Sequence, residues 1–158
     1  MDKKIVYLLD GTNLLYRAFF AIRMLNSPSG QPSNAVFGIA SMLLKLIDDY
    51  KPDSVIVAFD KGRNTFRNQL YSEYKGTRQE TPIGLSEQFE PAKELIRLLG
   101  IPILESDDYE SDDIIGTLAC MAPKHGWNAR MVSGGKDMLP VITEDTEMLL
   151  VRKGMTDL

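Results

Sequence analysis

Tyr109-Glu110-Ser111-Asp112-Asp113 places three carboxylates within four residues and runs directly into the apolar stretch Ile114-Ile115-Gly116-Thr117-Leu118-Ala119. This order predicts a helix with an acidic first turn, because carboxylates complement the partial positive charge of a helix N-terminus. A period of 3.6 residues places Glu110 and Asp113 on one helix face, with Asp112 turned further round. Capping is one interpretation of these acids. The other is a divalent-metal site, because three acids this close repel one another unless a cation lies among them.

The composition is that of an ordinary globular domain. The chain has 158 residues, enough for one domain with a real core, and its net charge of −4 argues against a generally basic nucleic-acid binder. No apolar run approaches the length of a membrane span, and no signal peptide precedes the first strand, so we expect a cytoplasmic protein without membrane association. The single histidine, His125, excludes a histidine-rich metal site and argues against a histidine-based nucleophilic triad.

Short apolar runs alternate with helical patterns along the chain, which is typical of α/β proteins. Strands are predicted at residues 5–9, 54–59, 101–104, 129–132 and 147–151. Helices are predicted at 14–24, 33–47, 85–99 and from the acidic stretch to about 121. The helix at 85–99 is expected to bury Phe89, Ala92, Leu95, Ile96 and Leu99. The alternation predicts a Rossmann-like, three-layer α/β domain with a mainly parallel central sheet of about five strands.

Carboxylates follow several of the predicted strands. Asp10 and Asp60 each follow a strand directly, the acidic helix follows the third strand, and Asp137 comes just after the fourth. Because the carboxyl ends of parallel strands meet at one edge of a sheet, we expect these acids to converge there, although Asp10 or Asp60 taken singly is also typical of a turn. Oxygen ligands without histidine or cysteine favour Mg²⁺ or Mn²⁺ over zinc. Two such ions, about 4 Å apart, would bind a phosphodiester and activate water.

Residues 61–82 combine basic and aromatic side chains without a clean apolar period. The members of this set are Lys61, Arg63, Phe66, Arg67, Tyr71, Tyr74, Lys75 and Arg78. We expect a protruding, partly helical or mobile excursion whose cations lie near the strand ends and whose aromatics stack on unpaired bases. A solvated surface loop is the alternative, because runs of charge usually face water.

Six motifs occur in the order found in a known family. They are Leu8-Leu9-Asp10-Gly11-Thr12-Asn13 with Tyr16-Arg17, Val57-Ala58-Phe59-Asp60, Phe66-Arg67, Glu73-Tyr74-Lys75-Gly76-Thr77-Arg78, Tyr109-Glu110-Ser111-Asp112-Asp113 and Ser133-Gly134-Gly135-Lys136-Asp137. Together they resemble the 5′→3′ exonuclease domain of bacterial DNA polymerase I, within the flap endonuclease superfamily. The resemblance covers essentially the whole chain.

The resemblance implies a PIN-like α/β domain that cuts DNA at 5′ flaps and 5′ ends in repair, replication and RNA-primer removal. It implies hydrolysis with two metal ions, Mg²⁺ or Mn²⁺. The metal ligands that it implies are Asp10, Asp60, Glu110, Asp112, Asp113 and Asp137. The catalytic residues that it implies are Lys75, Asp10, Asp60 and Asp113. The DNA-binding residues that it implies are Arg17, Arg67, Tyr74, Lys75 and Arg78, with the excursion at 61–82 as the arch that admits a single-stranded 5′ end.

Two departures from the family pattern bear on activity. The family motif that corresponds to Gly134-Gly135-Lys136-Asp137 usually reads Gly/Ala-Asp-Lys/Arg-Asp, so Gly135 stands where a metal-site aspartate is expected. In the family, a helix-hairpin region that grips duplex DNA, two further site aspartates and the polymerase follow the PIN-like core, and the sequence ends at Leu158 without them. We therefore expect residues 1–158 to form a PIN-like core with weak or absent nuclease activity.

Three other functions fit parts of the sequence. A non-catalytic module that binds branched or single-stranded DNA is favoured by Gly135 and by the early end of the sequence. A PIN-type ribonuclease acting on single-stranded RNA is disfavoured by the long basic excursion. A phosphoacceptor receiver domain would need an acidic pair directly after the first strand, where Asp10 stands alone.

Overall fold

Five parallel strands form one sheet in the computed structural model, which describes residues 3–61, 82–133 and 146–150. The strands are β1 (Lys4–Asp10), β2 (Ser54–Asp60), β3 (Ile103–Ser106), β4 (Trp127–Ser133) and β5 (Thr146–Leu150). Their spatial order is β3-β2-β1-β4-β5, and each neighbouring pair is parallel. The order reverses between β1 and β4, which makes this the switch point of a doubly wound sheet.

Helices cover both faces of the sheet. They are α1 (Gly11–Ala21), α2 (Asn34–Tyr50), α3 (Ile83–Ser86), α4 (Phe89–Leu98) and α5 (Ser111–Met121), followed by a 3₁₀ turn at Ala122–His125. Residues of α1, α2 and α4 share one apolar cluster with Leu9, whereas residues of α5 share a second cluster with Leu8. Successive side chains of a strand point to opposite faces, so β1 contributes to both cores. The predicted three-layer α/β class with about five strands is confirmed.

The central strand is apolar because it is buried on both faces. Tyr7, Leu8 and Leu9 are almost completely buried, and β1 pairs with β2 on one side and β4 on the other. Among the described residues, no helix has the length and apolar character needed to cross a bilayer.

Several element boundaries differ from those predicted. The first helix begins at Gly11 rather than at residue 14, because Asp10 serves as its N-cap. The helix predicted at 85–99 is two helices, since Pro91 in the first turn of α4 has no N–H with which to continue the hydrogen bonding of α3. The prediction that Leu99 faces inward was wrong, because this side chain is 41% exposed, while the unpredicted Lys93 is buried.

A buried side chain between α3 and α4 joins three helices. Gln88 Oε1 accepts hydrogen bonds from the N–H groups of Ala35 (2.7 Å) and Val36 (3.0 Å) at the start of α2. Its Nε2 donates to Asn34 Oδ1 and to the Gly84 carbonyl, both at 2.9 Å. Asn34 in turn donates to two carbonyls at the end of α1. Gln88 therefore satisfies donors that a helix N-terminus leaves open and fixes α3 against α1 and α2.

Replacing Gln88 by leucine should destabilise the fold. The change leaves the two N–H groups at the start of α2 and the side-chain oxygen of Asn34 without buried partners, so we expect the free energy of unfolding to fall by about 2–4 kcal/mol. Urea unfolding measures this, with Gln31→Leu as a matched control on an exposed residue that should change stability by less than about 0.5 kcal/mol. Equal effects of the two substitutions would contradict the role given to Gln88.

Candidate active site

Asp10 lies at the carboxyl end of β1, beside the switch point of the sheet. Its side chain is the N-cap of α1, with Oδ1 accepting from the Asn13 N–H at 3.1 Å. The same oxygen accepts from the Ser111 hydroxyl at 2.8 Å. Only 8% of Asp10 is exposed, which is unusual for an acid. The turn-forming role expected of a single aspartate is thus present, and a long-range contact accompanies it.

Asp60 lies at the end of β2, the strand next to β1. Its N–H donates to Thr12 Oγ1 at 2.8 Å, which connects the end of β2 to the first turn of α1. Its Oδ1 accepts from the N–H of Ser111 at 2.7 Å. Ser111 is therefore a double donor, with its hydroxyl on Asp10 and its backbone N–H on Asp60. The first residue of α5 holds the two strand-end carboxylates beside each other.

The acidic stretch begins α5 as predicted. Glu110 occupies the N-cap position and is only 3% exposed. Its N–H donates to Asp113 Oδ2 at 3.1 Å, and the Asp113 N–H donates to Asp112 Oδ1 at 3.0 Å. The side chain of Glu110 also accepts from the Asp113 N–H, which completes a capping box. Local capping thus involves Glu110, Asp112 and Asp113 alike.

The electrostatics of Asp10 reflect its burial among other acids. The pKa of Asp10 is raised from 3.8 to about 6, chiefly by burial and to a smaller extent by the negative charges of Asp60 and Asp112. Hydrogen bonds from Asn13 and Ser111 act in the opposite direction and lower it. The folded chain therefore disfavours the ionised form of this carboxyl.

A fourth element joins the same edge. Ser133, at the end of β4, donates from its hydroxyl to Asn13 Oδ1 at 3.1 Å. Beyond Asp60, the Lys61 ammonium pairs with Asp107 at 3.4 Å, although both side chains are largely in water. Hydrogen bonds thus connect the carboxyl ends of β1, β2 and β4 with the start of α5.

The structure brings together part of the predicted site. Ser111 joins Asp10 and Asp60, the acids Glu110, Asp112 and Asp113 lie together at the start of α5, and Arg17 is half-buried on α1. Within residues 3–61, 82–133 and 146–150, no three Asp, Glu, His or Cys side chains converge closely enough to hold a metal ion together. The other predicted residues lie outside the described ones, as does most of the 61–82 excursion. These residues are Arg67, Tyr74, Lys75, Arg78, Gly135 and Asp137. The site assignments stay predictions.

Four polar residues of the network were not predicted from sequence. Thr12, Asn13, Ser111 and Ser133 bind or connect the carboxylates, yet each stands inside a quoted motif. The available signal was position, since every one of them lies within three residues of a strand end or of a predicted metal ligand.

Comparison with models of protein families identifies the family of this chain. Residues 5–157 match the model of the family described as 5′-3′ exonuclease, N-terminal resolvase-like domain. The chain belongs to this 5′-3′ exonuclease family. The family predicted from the ordered motifs is therefore confirmed, and with it membership of a class of nuclease domains.

Relatives of this exonuclease domain include much longer proteins. DNA polymerase I of Bacillus subtilis is 46% identical over 156 residues, which cover 99% of this chain and 18% of the relative. DNA polymerase I of Chloroflexus aurantiacus is 45% identical over 152 residues, which cover 95% of this chain and 16% of the relative. The chain thus spans less than a fifth of the length of these relatives.

Solved structures support the fold of the exonuclease domain. The T5 D15 protein co-crystallized with metal ions matches with a TM-score of 0.69 and 24% identity, over 93% of this chain and 54% of that one. The catalytic core of Rad2 in complex with DNA matches with a TM-score of 0.55 and 14% identity, over 92% of this chain and 42% of that one. At these identities the likeness concerns the fold alone, and it confirms the PIN-like class.

The raised pKa of Asp10 predicts a stability that falls as pH rises. The folded chain binds the Asp10 proton more tightly than the unfolded chain, so this stabilisation is fully present below pH 3.8 and is lost as pH rises through about 6. The loss amounts to about 3 kcal/mol. Asp10→Asn cannot ionise and keeps an oxygen for Asn13 and Ser111. We therefore expect this variant to be more stable than wild type at pH 8.

Urea unfolding at pH 4, 6 and 8 with a chelator tests this expectation. The advantage of Asp10→Asn should shrink toward pH 4, where the wild-type carboxyl is protonated in the folded chain. The exposed control Asp108→Asn should reproduce the wild-type pH profile. An Asp10→Asn advantage that is the same at all three pH values would show that ionisation of this carboxyl is not the cause.

Proposed function

We propose that this chain is a divalent-metal-dependent 5′ nuclease domain that hydrolyses phosphodiesters of DNA at 5′ flaps and 5′ ends. The observation that carries the proposal is the pairing of Asp10 and Asp60 through Ser111, at the switch-point edge of a sheet in a 5′-3′ exonuclease family. Ligands of doubly wound sheets bind in the crevice outside the carboxyl ends of the strands. A buried group of acids at this position suits a cation better than any neutral ligand.

The residues present fit Mg²⁺ or Mn²⁺ by the chemistry of their donors. The described members are all carboxylates, and hard oxygen ligands favour these ions. Burial and mutual repulsion raise the pKa of Asp10, and a nearby cation relieves both effects. Among the described residues, Asp10 and Asp60 each accept side-chain hydrogen bonds through Oδ1, so we assign Oδ2 of each to the metal. Glu110, Asp112, Asp113 and Asp137 would complete two sites.

Chemistry on the phosphodiester follows from the positions of these groups. Bound divalent ions supply a polarised phosphate and a water of lowered pKa. Ser111 keeps Asp10 and Asp60 at a fixed spacing, because it donates one hydrogen bond to each carboxylate. Among the described residues, it is the residue of α5 that binds both of them. We assign Lys75 to the developing charge on the phosphate, and Arg17, Arg67, Tyr74 and Arg78 to the DNA strand, with residues 61–82 as the arch.

Solved structures of similar fold support a divalent metal ion and DNA as the proposed ligands. One is described as T5 5′-exonuclease with bound zinc ions, and another as the T5 D15 flap endonuclease in a pseudo-enzyme-product complex with DNA and metal ions. The long relatives are DNA polymerases. We therefore propose cytoplasmic DNA repair and replication as the setting, RNA primers as a further substrate, and residues 1–158 as the PIN-like nuclease core.

Gly135 favours a second candidate function, a DNA-binding module with little cleavage. By the resemblance, this glycine occupies the place of a metal-site aspartate, and glycine offers no side-chain ligand. A site short of one carboxylate binds its cation less tightly. The second candidate is therefore a DNA-binding module whose metal affinity, and with it cleavage, is weaker than in a member with aspartate at this position.

Removing the Asp60 carboxylate should abolish cleavage while preserving the fold. Asp60→Asn retains an oxygen for the Ser111 N–H but loses the negative charge, so we expect the cleavage rate on a 5′-flapped DNA to fall by about 100-fold or more. Asp108→Asn, an exposed acid near the same edge, is the matched control and should cleave at the wild-type rate. Faster cleavage of a single-stranded RNA of the same sequence would favour the ribonuclease interpretation instead.

Restoring an aspartate should strengthen the metal site if Gly135 is the deficit. For Gly135→Asp we expect the Mg²⁺ concentration at half-maximal thermal stabilisation to fall about tenfold, since one charged ligand is added, and flap cleavage to rise. Gly134→Asp, which places the same charge one residue away, is the control. Unchanged Mg²⁺ dependence together with unchanged DNA binding would favour the non-catalytic module.

A further inference from the structure

A lysine is buried behind the strand ends, on the face of the sheet opposite α5. Lys93, on α4, is only 8% exposed. Its Nζ lies 2.9 Å from Glu105 Oε1 on β3 and 3.6 Å from Glu90 Oε1, a carboxylate that is mostly in water. It also lies 5.3 Å from the centre of the Phe59 ring. Removing an ammonium group from water is costly, and an opposite charge and an aromatic face offset that cost.

The Phe59 ring fills the space beside a residue that must be glycine. A Cβ placed on Gly11 would stand 2.6–2.8 Å from three atoms of this ring, closer than real Cβ contacts. Phe59 is completely buried, and Phe89 of α4 packs against it edge-on with ring centres 6.3 Å apart. The ring therefore acts as a spacer between the end of β2 and the backbone at the start of α1. It leaves no space for a side chain at position 11.

This spacer stands directly behind the two carboxylates. Asp60 is the residue after Phe59, and Asp10 is the residue before Gly11, so the contact of ring and backbone fixes the two positions that carry the acids. Glu105 is the register partner of Phe59 on β3, so the Lys93–Glu105 pair holds the far side of the same ring.

We propose that Lys93 is a positioning residue for the Asp10–Asp60 pair, acting through the Phe59 ring and Gly11. The inference deepens the proposed function and rests on it, because the spacing of the two carboxylates matters for a shared cation. Lys93 touches neither carboxylate in the contacts described. Its ammonium lies over the ring, while the Gly11 backbone stands against the Cζ and Cε atoms at the tip of the ring.

Mn²⁺ binding to the chain tests the proposal without relying on cleavage. Free Mn²⁺ is measured by electron paramagnetic resonance well below the melting temperature, for wild type, Lys93→Met, Lys93→Arg and Phe59→Leu. Ile96→Val is the control, since it removes one methyl group from a fully buried residue of the same helix. It lowers stability but changes none of the contacts of the Phe59 ring described above.

We expect Lys93→Met to raise the Mn²⁺ dissociation constant about tenfold, the usual scale for an outer partner of a metal site. Lys93→Arg, which keeps the charge over the ring, should remain within about threefold of wild type. Phe59→Leu should match Lys93→Met, and the double variant should bind no more weakly than either single one, because both act through one contact.

Several outcomes would overturn the proposal. A lowered melting temperature with an unchanged dissociation constant in Lys93→Met would make this residue purely structural. If Lys93→Met does not fold, an unchanged constant in Phe59→Leu has the same consequence. Additive weakening in the double variant would show that Lys93 does not act through Phe59. A wild-type chain that binds no Mn²⁺ would overturn the proposed metal site and this role together. The other outcomes named here overturn only the role of Lys93, so the two failures can be distinguished.

Discussion

Parallel pairing of β1 with β2 on one side and β4 on the other is the constraint on which the rest of the structure depends. It forces β1 to be apolar on both faces, and it brings the ends of three strands to one edge. It also sets the switch point beside Asp10, where α1 and α5 begin with their N-termini near the same crevice. Asp10 therefore lies where the topology of a doubly wound sheet itself offers a crevice.

A site built in this way is held together at a cost in stability. Asp10 is buried beside Asp60 and Asp112, and its pKa shows that the folded chain disfavours the ionised form. Donors from Ser111 and Asn13 offset part of that cost and orient the carboxyl. On the opposite face, Lys93 and Phe59 add a second layer of support behind the same strand ends. Functional sites in general retain unfavourable electrostatic interactions where their chemistry requires them.

Sequence patterns predicted the sheet and the convergence of Asp10 and Asp60, because strand-end position is a local property that a run of apolar residues reveals. They did not predict Ser111 as a double donor, since its role depends on two strands that are distant in sequence. Gln88 and Lys93 were missed for a related reason: polar side chains are expected in water, and only tertiary contacts explain their burial. The missing N–H of Pro91 predicts a break in the helix, whereas the apolar spacing across residues 85–99 is that of one continuous helix.

The two ends of the basic excursion are attached to the core independently of each other. Lys61 pairs with Asp107, while the carbonyl of Pro82 accepts from the N–H groups of Leu85 and Ser86, and Gln88 anchors the turn that follows. The entropy of closing a loop between fixed ends grows only slowly with its length. A change in the length of the stretch between these two anchors should therefore cost little free energy and leave the contacts described at either flank in place.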